Sequence, residues 1–139
     1  MRVLIPHDGS EQADEAIAHA ASEHADDEIV LLHVLDFVEA GYNAAPDTVV
    51  PGYWDEWYEE AEENGQELLA ERAATFDGEV ETAVVVGRPV NSILEYTAEN
   101  GIDMIVMGSH GRDGISRVLL GSVAEAVVRR SPVPVTVVR

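Results

Sequence analysis

The chain has 139 residues, 46% of them apolar, with 27 acidic side chains against eight basic ones and a formal charge of −19. That length suits one hydrophobic core, so a single domain over residues 1–139 is expected, and the apolar share excludes disorder despite the charge. So acidic a chain is repelled by nucleic-acid backbones and anionic membrane surfaces, and neither is an expected partner.

The longest apolar run, Ile29 to Leu35, is strand-sized and interrupted by His33, far short of the roughly 18 residues of a membrane span. Arg2-Val3-Leu4-Ile5 lacks the charged-then-apolar pattern of a leader, and the absence of cysteine suits a reducing compartment, so a cytoplasmic protein is expected. All eight bases are arginine. The acids are scattered, as in Asp26-Asp27-Glu28 and Glu59-Glu60-x-Glu62-Glu63, and read as solvated helix faces. An acidic, lysine-free surface is also what a salty, halophilic cytoplasm favours, because ions there screen self-repulsion.

Val3-Leu4-Ile5 reads as a short buried strand closed by Pro6. Ala13, Ala16, Ile17, Ala20, Ala21 and His24 recur at helical spacing, with Ser10 placed to cap the helix. Ile29 to Leu35 is the second strand. Residues 36–53, with Gly41, Pro46, Pro51 and Gly52, show no period and are expected to form a long, mobile loop. Trp54, Trp57, Tyr58, Ala61, Gly65, Leu68, Leu69 and Phe76 mark a second helix, its aromatic cluster read as core packing rather than a base-stacking platform. Val80 to Val86 is the third strand. Pro89 opens a third helix through Val90, Ile93, Leu94, Thr97 and Ala98, stopped by Asn100-Gly101. Met104 to Met107 is the fourth strand, and a last helix ends near Arg129-Arg130 before a fifth strand, Val133 to Val138. Nearly all-apolar strands alternating with helices predict an α/β fold: a five-stranded parallel sheet with helices on both faces.

Residues 108–122, GSHGRDGISRVLLGS, lead from the fourth strand into the last helix, which is expected to start between Ser116 and Ser122. In open α/β sheets ligands bind beyond the carboxyl ends of strands, where N–H groups and a helix N-terminus can face an anion. Glycines admit close approach, and Gly121-Ser122 adds a hydroxyl, so the segment reads as a phosphate cradle. Glycine after a strand is also often no more than a turn. There is no Gly-Lys-Ser/Thr, and no G-x-G-x-x-G follows the first strand, so the segment is neither a P-loop nor a dinucleotide fingerprint.

The spacing Gly108-x2-Gly111-x9-Gly121-Ser122 resembles that of ATP-binding universal stress proteins. Ile5-Pro6-His7-Asp8-Gly9-Ser10, His33-Val34 and Ser131-Pro132-Val133-Pro134-Val135 resemble that family's first, second and last strands, and the likeness runs from residue 2 to 139. The resemblance implies a Rossmann-like, adenine nucleotide α-hydrolase-like fold, a site for ATP (or AMP or ADP) with Mg²⁺, and a homodimer paired through the C-terminal strand. It places Pro6 and Asp8 beside ribose and adenine, and the Val34 backbone at the adenine edge. Met107 and Gly108 would line the base and ribose; Gly111, Arg112, Gly121, Ser122 and Val123 would surround the phosphates. His7 and His110 are unusual within this pattern, each either a ligand contact or a solvated or helix-capping histidine, whereas His33 reads as a hydrogen-bonded core histidine.

Asp8 is either a turn and cap residue or an acceptor for ribose hydroxyls that also helps to hold Mg²⁺. Arg112 and Arg117 supply positive charge, and Ser109, His110 and Asp113 could assist a water in hydrolysis. Without a Walker lysine or a carboxylate cluster, however, binding without efficient turnover is the expectation. Slow hydrolysis or phosphate transfer, and a dimeric scaffold with a vestigial site, are the alternatives. A stress-response regulator or sensor is the function implied.

Overall fold

The computed structural model describes residues 1–38, 53–109 and 120–139. Strand and helix alternate through them: β1 (Arg2–Pro6), α1 (Glu11–Glu23), β2 (Glu28–Leu35), α2 (Tyr53–Ala73), β3 (Val80–Val86), α3 (Pro89–Glu99), β4 (Met104–Gly108), α4 (Ser122–Arg130) and β5 (Val135–Val138). The strands form one sheet in the order β3-β2-β1-β4-β5, and every pairing is parallel. The predicted α/β architecture is therefore present.

The central strand explains its own composition. Val3, Leu4 and Ile5 of β1 are wholly buried, and alternate side chains face opposite layers. Val3 and Ile5 join Ala16, Ile17, Leu31 and Leu69 beneath α1 and α2. Leu4 joins Val30, Leu32, Ile93, Ile105 and Val127 beneath α3 and α4. Each such aliphatic side chain contributes about 1.5–3 kcal/mol on burial. A run without polar alternation is what a strand covered on both sides requires.

The caps follow the sequence. Ser10 Oγ accepts from the Ala13 N–H at 3.2 Å, Pro89 opens α3, and Gly101 takes a φ of +62° just beyond its C-cap, Asn100. Arg2 fastens the amino-terminal ends of three strands, donating to Glu28 Oε2 at 3.1 Å and to Glu81 Oε2 at 2.5 Å.

Two expectations for α2 need correcting. The helix ends at Ala73, and Phe76 lies beyond it in turns made by Thr75 N–H to Arg72 O and Phe76 N–H to Ala73 O. Phe76 still packs on the core from that turn. Nor is the aromatic cluster buried as a whole: Tyr58 is 42% exposed and Trp57 half-buried, and the helix reaches the core through Gly65 and Leu69. An added Cβ at Gly65 would lie 2.8 Å from the His33 ring, so glycine there lets α2 settle onto the sheet. The loop expectation falls mostly outside the described residues, at 39–52.

Candidate functional site

From β1 the chain winds outward to β2 and β3; from β4 it winds to β5 on the other side. The order therefore reverses between β1 and β4, which pair through Val3–Met104 and Leu4–Ile105. A sheet of this kind opens a crevice beyond the carboxyl ends of those two strands. Pro6-His7-Asp8 leaves β1 at that mouth, and Gly108-Ser109 leaves β4 beside it.

The β1–α1 turn is tightly specified. Gly9 has a φ of +88°, a conformation that favours glycine. Asp8 Oδ1 accepts from the Ser10 N–H at 3.0 Å, the turn role that is one of its two readings, and the carboxylate is half-buried at the mouth.

His7 departs from the reading of a solvated or capping histidine: it is 2% exposed and its ring points inward. Nδ1 accepts from the Gly9 N–H at 3.0 Å, so Nε2 carries the proton and donates to Asp14 Oδ1 at 2.8 Å. Both ring nitrogens are thus engaged within the protein. Arg72 of α2 donates from Nε to the same Asp14 oxygen at 2.5 Å. The His7 carbonyl accepts from His33 Nδ1 at 2.8 Å, so His33 is hydrogen-bonded as expected, but half-buried rather than in the core. Burial pulls the His7 imidazole below its ordinary pKa against the opposing pull of Asp14. At Asp14 burial acts upward, but the hydrogen bonds from Arg72 and His7 prevail and hold its carboxyl below the usual range.

Gly108 has a packing reason for being glycine. A Cβ there would lie 2.6 Å from the backbone carbon and oxygen of Gln12, in the first turn of α1. Ser109 N–H donates to Val138 O at 2.9 Å and Gly121 N–H to Ser109 O at 2.6 Å, which ties the N-cap of α4 to the end of β4. Gly121 is the N-cap of α4 and, having no side chain, gives no side-chain cap of its own. Its φ of −68° is open to any residue; the conformation does not demand glycine.

The remaining site residues divide. Ser122 is exposed and Val123 half-buried at the start of α4, while Met107 is buried. The side chains of Met107, Val123 and Val34 pack into the core beneath α3 and α4. Pro6 is half-buried at the end of β1. Gly111 and Arg112, with His110, Asp113 and Arg117, lie outside the described residues. No group of three or more metal-ligating side chains occurs among the described residues. Nor is any described helix long and apolar enough to cross a membrane.

The His7–Asp14–Arg72 chain is what sequence reasoning missed. His7 and Asp14 are seven positions apart across a strand-to-helix turn, and Arg72 comes from another helix 58 residues further on. No spacing rule links them. The one available signal was a histidine between two residues expected to face a ligand.

A model of the universal stress protein family matches residues 1–139. Universal stress protein MJ0531 of Methanocaldococcus jannaschii is 34% identical over 145 residues, which cover 99% of this chain and 81% of that protein. MJ0577 of the same organism is 33% identical over 153 residues, covering 99% and 94%. Its solved structure superposes with a TM-score of 0.85, covering 99% and 94% of the two chains. A universal stress protein solved in complex with cAMP is 24% identical with a TM-score of 0.65 over 100% and 96%, a likeness that carries the fold. With a family match along its whole length, this chain belongs to the universal stress protein family.

Proposed function

We propose that the protein binds an adenine nucleotide, ATP or its AMP and ADP relatives, in the β1/β4 crevice and acts as a regulatory or sensor module in a stress response. One observation carries this reading: Gly108-x2-Gly111-x9-Gly121-Ser122 begins at the switch point and ends at the α4 N-terminus, whose N-cap is a glycine. The first-turn N–H groups of a helix suit phosphate oxygens, and the partial positive charge of the helix end favours them. In this reading Gly111, Arg112, Gly121, Ser122 and Val123 surround the phosphates. Pro6, Asp8, Met107 and Gly108 line ribose and base, with the Val34 backbone at the adenine edge. His7 acts from behind rather than by ring contact.

Mg²⁺ would arrive with the phosphates, whose charge it offsets in so acidic a protein; the described residues supply no separate cluster for it. Efficient hydrolysis needs a positioned water, a base and charge neutralisation, and a P-loop lysine is absent from the sequence. Turnover far below the median of about 10 s⁻¹ is therefore expected. A cytoplasmic homodimer paired along β5 completes the proposal. Mass spectrometry of small molecules released from protein purified without added ligand tests it. Adenine nucleotide in near-stoichiometric amount is the expected result. A rate above about one per second, abolished by a change at Asp8 that spares binding, would instead make the protein an enzyme.

A further inference from the structure

We propose that His7 is a positioning residue of the nucleotide site, its buried ring holding the Asp8-Gly9-Ser10 turn in register by accepting the Gly9 N–H. This rests on the nucleotide reading above and adds to it a residue that acts without touching the ligand.

The turn needs an external support. Gly9 sits at a φ of +88° with open space where a Cβ would lie, so its own sterics restrict it little. Ser10 N–H to Asp8 Oδ1 and Ala13 N–H to Ser10 Oγ are bonds within the turn and cap. The Gly9 N–H to His7 Nδ1 bond instead ties the turn to a ring fixed in the interior. That ring is fixed from its other side: Asp14 Oδ1 receives Nε2–H, and Arg72 Nε holds the same oxygen. Asp14 lies in the first turn of α1 and Arg72 in the last turn of α2, so two helices set the orientation and tautomer of one imidazole. The result is an acceptor aimed at Gly9, one residue beyond Asp8.

A volume-filling role and a helix-tying role predict different mutants. If His7 only filled space, His7→Leu would serve. If it only linked α1 to α2, the Asp14–Arg72 pair would keep that link without it. The two ring nitrogens separate further. In His7→Asn the side-chain oxygen stands near the place of Nδ1 and still accepts from Gly9. In His7→Gln the amide reaches toward Asp14 and leaves Gly9 without its acceptor.

The test is MgATP affinity by calorimetry for the wild type and all three variants, with hydrogen exchange of the Gly9 amide followed by NMR in the absence of nucleotide. His7→Leu and His7→Gln are expected to bind about tenfold more weakly, with fast Gly9 exchange; His7→Asn is expected to recover most of the affinity and the protection. Equal affinity in all four proteins overturns the proposal, as does a Gln variant that outperforms Asn. If the wild type binds no ATP, the nucleotide reading fails and the affinity coupling with it. The Gly9 amide then still decides the turn: protection in the wild type and Asn variant supports the role of His7, and an unprotected wild-type amide overturns it.

Discussion

Gly108 answers to two demands, and only one was visible in the sequence. Its place in the glycine spacing pointed to a ligand; the structure adds Gln12, whose backbone leaves no room for a Cβ. Gly108→Ala must displace backbone rather than a flexible side-chain end, and a destabilisation of about 1–3 kcal/mol is expected by chemical denaturation. Unchanged stability would mean that α1 yields at no cost. His7 gives a second residue-scale outcome. Its folded-state pKa lies below its ordinary value, chiefly through burial, so the unfolded chain takes up the proton more readily. The stability it contributes is full above about pH 6.5 and is lost as pH falls through the lower folded-state value. Melting temperatures from about pH 8 to about pH 4 should therefore fall more steeply in the wild type than in His7→Leu. Parallel profiles would contradict this. The position of His7 was legible in the sequence; the inward turn of its ring was not, because Asp14 and Arg72 come from separate helices.

At the scale of elements, the sheet was legible because each strand is a short apolar run bounded by a turn residue, a pattern that survives without knowledge of its neighbours. Strand order was not legible, since nothing local says that β1 pairs with both β2 and β4. The end of α2 was misread because Phe76 keeps helical spacing while it packs from a turn. β5 does lie at a sheet edge, and its backbone direction refines the proposed dimer. Ile105 N–H bonds Pro134 O and Ser109 N–H bonds Val138 O, so Pro134, Thr136 and Val138 face β4. Val135 and Val137 then turn their N–H and C=O groups to the open edge, and the missing N–H of Pro134 falls on the β4 side. Val137→Pro removes an edge donor without touching the β4 ladder. Light scattering in high salt is expected to give a dimer for the wild type and a folded monomer for this variant. A monomeric wild type, or a variant that stays dimeric, would contradict pairing through β5.

At the scale of the whole molecule, charge governs. With −19 over 139 residues, repulsion among carboxylates disfavours the compact state. Arginine pairs with acids do occur, Arg2 with Glu28 and Glu81 and Arg129 with Glu125, but exposed pairs contribute about 1 kcal/mol at most. Raising salt from 0.1 M to about 1 M shortens the screening length from about 10 Å to about 3 Å, relieving more repulsion than it weakens attraction. The melting temperature is expected to climb with potassium chloride, and a flat or falling curve would defeat the halophilic reading while leaving the site untouched. The site itself is tested most directly by titrating MgATP into the wild type and Gly121→Asp in concentrated potassium chloride, by calorimetry. Asp is a good N-cap and the backbone at Gly121 admits it, so the variant should fold while its carboxylate occupies the α4 N-terminus and repels phosphate. Micromolar binding by the wild type and a loss of at least about a hundredfold in the variant is the expected result; equal affinity in the two proteins would remove the loop from nucleotide binding.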